Sequence, residues 1–147
     1  MKQLILMMIL FVGLVQNVNA QGWYGKSSNS NYSQAQSHNA SITIRNRSEY
    51  ALTVKVLKTG GRGLYRTIYI SPKSSSVVSF SRSDSFFTKT KAVKDGILGE
   101  TLYRKGGTFT VQCDSEGYTE GTLEFYVSSG TGGSGQGISK SEFEKNN

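Results

Sequence analysis

Apolar and polar side chains alternate with a period of two along most of residues 41–127, the rhythm of strands that bury one face. Ser41–Arg45 puts Ile42 and Ile44 on one side. Tyr50–Lys58 puts Leu52, Val54 and Val56 inward, with Thr53 and Lys55 outward. Thr59-Gly60-Gly61-Arg62-Gly63 is a tight-turn signal, so the next run, Leu64–Ile70, completes a predicted hairpin. Pro72 stops that run, because proline has no amide to give to a ladder. Further strands are predicted at Ser76–Ser81 (Val78 and Phe80), Phe86–Val93 and Leu102–Arg104. Thr108–Cys113 carries Phe109, Val111 and Cys113 on one face, and Thr122–Val127 carries Leu123, Phe125 and Val127 inward. Asp95-Gly96, Gly106-Gly107 and Asp114–Gly117 read as turns.

About seven short strands, frequent turns and no long helical period predict an all-β fold: a single small β-sandwich of immunoglobulin-like architecture, with a small β-barrel as the alternative. The ends of the chain break this rhythm. Lys2 precedes an apolar run from Leu4 to Val15, interrupted by Gly13, and Val18-Asn19-Ala20 follows with small residues. That run is shorter than the roughly 20 apolar residues that a membrane-spanning helix needs. Residues 1–20 therefore read as a cleaved signal peptide, which places the processed chain outside the cytoplasm, secreted or periplasmic, with no membrane span after cleavage. Residues 21–40 are a Ser-, Asn- and Gln-rich leader with little to bury, and 41–127 are the sandwich domain. Residues 128–147 are a Gly/Ser-rich linker and a short acidic tail, whose apolar anchors are Ile138 and Phe143.

Charge adds an asymmetry. The formal net charge of the 147 residues is +7. From Lys26 to Lys105 there are 14 Lys and Arg against 4 acids; from Gly106 onward there are 2 lysines against 6 acids. A basic body with an acidic end attracts anionic partners at long range. For an exported chain that points to an anionic glycan, a lipid headgroup or a protein surface, and not to nucleic acid.

The residues for familiar catalysis are missing. His38 is the only histidine and falls in the leader, so a triad lacks its usual base and a histidine-based zinc site its ligands. Cys113 is the only cysteine, which excludes an internal disulfide and a thiolate cluster; its place in an apolar run predicts a buried, inert thiol. Gly130-Thr131-Gly132-Gly133-Ser134-Gly135 fits the dinucleotide fingerprint, but too little chain follows for the helix and second strand that the fingerprint needs. Asp114, Glu116 and Glu120 could offer calcium oxygens, yet an EF-hand register puts Phe125 where the closing glutamate belongs. A hydrolase would have to draw a carboxylate pair from Asp84, Asp95, Glu100 and Asp114, all in turn-like contexts. No enzyme, cofactor or metal is expected.

Binding residues are easier to nominate. With Ile68 and Ile70 inward, Tyr65 and Tyr69 are expected on the outer face of their strand, placed to anchor a partner or stack on a sugar. Lys89 and Lys91 share a face about 7 Å apart, close enough to grip one anion together or to guard a sheet edge. Arg62 and Lys73 are added from nearby basic loops. Asn31, Asn39 and Asn46 begin N-glycosylation sequons. The expectation is an exported, non-catalytic sandwich that works through protein–protein or cell-surface contact. A binder of anionic polysaccharide or lipid headgroup through a basic face is the alternative, and a hydrolase with an unrecognised carboxylate site the second alternative.

Overall fold

The computed structural model describes residues 9–15 (backbone), 39–97, 99–126, 127–128 (backbone) and 135–147. In chain order its strands are β1 (Ile9–Val15), β2 (Ala40–Asn46), β3 (Ala51–Lys58), β4 (Leu64–Ile70), β5 (Ser75–Phe80) and β6 (Asp84–Lys94). Then come β7 (Glu100–Lys105), β8 (Phe109–Val111), β9 (Cys113–Asp114), β10 (Gly117–Tyr118), β11 (Glu120–Ser128), β12 (Gln136–Gly137) and one short helix, α1 (Lys140–Glu144).

The alternation carries through to burial. Inward residues from two sheets make one core: Ile42 and Ile44 of β2, Leu52, Val54 and Val56 of β3, Val78 and Phe80 of β5, and Leu123 and Phe125 of β11. The first sheet has the order β1-β11-β2-β5; the second runs β12-β7-β6-β3-β4, with β8 pairing on the start of β6. β11 joins β2 in parallel, whereas the other pairings of the two sheets are antiparallel. This is the sandwich that the period-two pattern predicts. The strands beyond the expected set are short, except for β1, which lies inside residues 1–20. Ala40, assigned to the leader, is a buried first residue of β2. Residues 21–38 of the leader and the glycine-rich fingerprint up to Ser134 lie outside the described residues.

Two local features correct the sequence reading. The ladder between β3 and β4 slips between Val56 and Leu57, so that Val56 pairs with Arg66 and Leu57 with Leu64. Tyr65 is the extra residue of this bulge. A bulge reverses the inside–outside phase on one side of it, so Tyr65 turns inward while Tyr69 stays out, 78% exposed. Tyr65 stacks on Phe80 at 5.1 Å, meets Phe86 edge-on at 5.2 Å, and donates its hydroxyl to the Ser79 carbonyl at 2.8 Å. The expected outward pair, Tyr65 and Tyr69, is therefore a half-buried residue packed against the core and a surface residue.

The second feature is Asn46, the start of a sequon but only 1% exposed. Its Nδ2 donates to the carbonyls of Tyr50 (2.6 Å) and Ser71 (3.0 Å), and its Oδ1 accepts from the Ser48 amide and hydroxyl. The side chain ties the β2–β3 turn to the end of β4, and its nitrogen has no hydrogen left for a glycan. Cys113 is half-buried, its thiol donating to the Phe80 carbonyl at 3.4 Å.

Candidate functional site: a lysine row under the C-terminal segment

Register, not sequence spacing, builds the site. On the outer face of the second sheet, Lys55 of β3 pairs with Lys89 of β6, and Lys89 pairs with Lys105 of β7. Three lysines thus stand abreast across three neighbouring strands. Directly opposed side chains in a sheet lie about 5 Å apart, and like charges so placed repel. The next row holds Thr53, Lys91 and Tyr103, and the row on the other side pairs Leu57 with Phe87. Leu57 and Phe87 are buried even though alternation puts them on this outer face.

The chain's own C-terminal segment covers the row. β12 pairs with β7, and the Ile138 amide donates to the Tyr103 carbonyl at 3.1 Å, which steers the segment across the sheet. Ser139 caps α1 by accepting from the Glu142 amide at 3.1 Å. Phe143 is 3% exposed and packs on the Tyr103 ring at 5.5 Å. A five-residue helix is unstable alone, so this packing and the lysines hold it.

Lys89 and Lys55 do so, mainly through main-chain oxygens. Lys89 Nζ donates to the carbonyls of Glu142 (2.8 Å) and Lys145 (3.1 Å) and to the main-chain oxygen of Asn147 (3.2 Å), and lies 2.9 Å from the Glu142 carboxylate. Lys55 Nζ donates to the carbonyls of Phe143 and Glu144 and to Asn146 Oδ1, and stands 4.8 Å from the centre of the Phe143 ring. The last turn of α1 carries no basic residue of its own. The negative end of the helix is therefore met by charges from the sheet. Lys105 faces the Phe87 ring at 4.8 Å. The hydrogen bond and charge of Lys89 hold the Glu142 carboxyl below the usual glutamate range, with Lys145 adding to the effect.

The nominated residues separate in space. Lys89 and Lys91 do share the outer face of β6, but β6 lies between β3 and β7 and is no edge strand. Lys89 is fully buried under the tail; Lys91, one row along, is half-buried. Arg62 belongs elsewhere: in the β3–β4 turn it pairs with Asp84 and donates to the Thr59 carbonyl. Lys73 sits at the opposite end of the strands, ion-paired to Glu49 at 3.0 Å and donating to the Arg47 carbonyl. Neither joins the lysine row. Lys55 and Lys105 were missed because their partnership appears only once β3, β6 and β7 are aligned. A lysine at an outward position of each of three strands was the available signal.

Three of the four candidate carboxylates, Asp84, Asp114 and Glu100, make contacts that serve the scaffold, and Asp95 is exposed in its turn. Arg62 holds Asp84 in its low-pKa, ionised form, with the Ser85 amide assisting. Asp114 closes its own turn by accepting from the Glu116 amide, Gln112 and Ser83, which lower its pKa. Glu100 accepts from the Tyr50 hydroxyl at 2.6 Å, and burial together with that carboxylate pushes the Tyr50 pKa up to about 12. Among the described residues no cluster of three His, Cys, Asp or Glu is placed to hold a metal ion, and no helix is long and apolar enough to cross a membrane.

Comparison with protein-family models, curated proteins and solved structures finds no match.

Proposed function

We propose that this chain is an exported, non-catalytic β-sandwich module that works through protein–protein or cell-surface contacts. The observation that carries the reading is the peptide segment seated on the lysine row, held mainly through its main-chain oxygens and one buried phenylalanine. Three lysines abreast cost a sheet stability through mutual repulsion, so a row of this kind is better explained as a seat for oxygen-rich chain than as a stabiliser of the fold. The segment reaches the seat through the Gly- and Ser-rich stretch 128–137, and a tethered ligand of this sort can be exchanged for a similar segment of another protein.

A photo-crosslinking side chain at Lys91, on the margin of the seat, tests this in the native envelope. A discrete protein adduct that disappears when excess 138–147 peptide is added supports the reading. The absence of any protein adduct from folded bait overturns it.

The second reading, an anionic polysaccharide or lipid headgroup on the same basic face, is favoured by one detail: the seat already holds the Glu142 carboxylate. It predicts retention on a polyanionic glycan or anionic vesicle that falls steeply with salt. Salt-insensitive retention, or retention unchanged in a Lys55→Ala/Lys91→Ala double variant, removes it.

A further inference from the structure

We propose that the outer edge of β11 is a strand-acceptor site, filled in the processed protein by an extended, uncharged apolar strand of a partner protein running antiparallel to β11. The inference deepens the contact reading above and rests on it, including removal of residues 1–20.

Its basis is the strand that occupies this edge. β1, residues Ile9–Val15, pairs antiparallel with β11 along seven positions, from Ile9 opposite Ser128 to Val15 opposite Thr122. These residues read Ile-Leu-Phe-Val-Gly-Leu-Val, without a charge or a hydrogen-bonding side chain. They also form the heart of the expected export signal. Once that segment is cleaved, β11 keeps β2 on one side and presents the other side of a nine-residue strand to solvent.

Such an edge is normally blunted by lysine, proline or shortness. β11, Glu-Gly-Thr-Leu-Glu-Phe-Tyr-Val-Ser, has neither lysine nor proline. Of its charges, Glu124 is already committed to Arg47 at 2.8 Å and Arg45 at 3.3 Å across the β2 side. The other edge strand of this sheet, β5, is shorter and carries Ser75, Ser76 and Ser79.

An incoming strand meets open main-chain donors and acceptors along the β11 edge. A second copy is the weaker occupant. A second copy's β11 would bring two further glutamates, Glu120 and Glu124, to an edge that already carries the same two, whereas the strand seated here is uncharged.

The test uses the full-length precursor expressed in an exporting host and the product recovered from outside the cytoplasm. Intact mass establishes the N-terminus, and amide exchange is followed across residues 120–128. The probe is a peptide of residues 9–15 with solubilising lysines appended at one end. In the cleaved product, exchange at 122–128 is expected to be fast and to slow by about tenfold or more with the probe. The same peptide N-methylated at alternate residues is expected to have no effect, because it cannot complete a ladder.

Cleaved, monomeric product whose β11 amides are already protected, or are indifferent to the probe, overturns the acceptor site while leaving the contact reading standing. Protection that rises with protein concentration alone assigns the edge to a second copy and overturns the partner strand. An uncleaved N-terminus in folded product removes the export reading itself, and the acceptor site with it.

Discussion

Lys89 Nζ lies 2.9 Å from the Glu142 carboxylate, although 53 residues separate the two in sequence. The contact joins the basic body to the acidic tail and leaves the Lys89 side chain without solvent exposure. Buried ammonium groups are tolerated when oxygen partners replace water, and here three main-chain oxygens do so beside the carboxylate.

Lys89→Met keeps the long apolar stem and removes the donor. Amide exchange across residues 138–147 is expected to accelerate by about tenfold or more, while exchange in β3 and β6 stays slow. Phe143→Ala should release the same segment by a separate route, since burying a phenylalanine contributes roughly 2–3 kcal/mol. If either variant left the tail as protected as in the parent, the lysine seat would not be what holds it.

Acid should open the seat. The Glu142 pKa is lowered in the folded chain, chiefly by the Lys89 hydrogen bond. A lowered carboxyl pKa contributes stability that is present above the unfolded value and is lost as pH falls through the folded one. Tail protection is therefore expected to be complete at neutral pH and to be lost as pH falls through and below the ordinary glutamate range. Glu142→Gln should flatten this dependence. The measurement is tail amide or ring chemical shifts of Phe143 against pH.

Asn46→Ala removes the donors to the buried Tyr50 carbonyl and the part-buried Ser71 carbonyl, and the acceptor of the buried Ser48 amide. Each buried group left without a partner costs about 1–3 kcal/mol, so denaturant unfolding should show a loss of roughly 3 kcal/mol or more. In a host that glycosylates, folded protein should carry no glycan at Asn46, as peptide mass mapping would show.

Tyr65 and Tyr69 should separate cleanly. Tyr65→Ala removes a half-buried ring packed on Phe80 and Phe86 and is expected to cost about 2 kcal/mol in urea unfolding, less than a fully buried aromatic would. Tyr69→Ala alters an exposed ring and should stay within about 0.5 kcal/mol. Equal costs for the two would contradict the bulge at Tyr65.

The inside–outside order of β2, β3, β5 and β11 was readable from the chain, because burial of one sheet face imposes a period of two on side chains such as Leu52, Val54 and Val56. Turns at Gly60-Gly61 and Asp95-Gly96 were readable for a related reason: positive φ, 71° at both Gly60 and Gly61 and 135° at Gly96, selects glycine locally. Tyr65 was not, since its bulge is a mismatch between two strands and neither strand alone records it. The lysine row was hidden in the same way. Lys55, Lys89 and Lys105 each look like an ordinary outward charge, and only register sets them side by side. The resting place of the tail lay furthest from sequence. Ser139 and Glu142 have the spacing of a helix start, but the docking of Phe143 depends on a surface formed by three strands that meet only in the folded sheet.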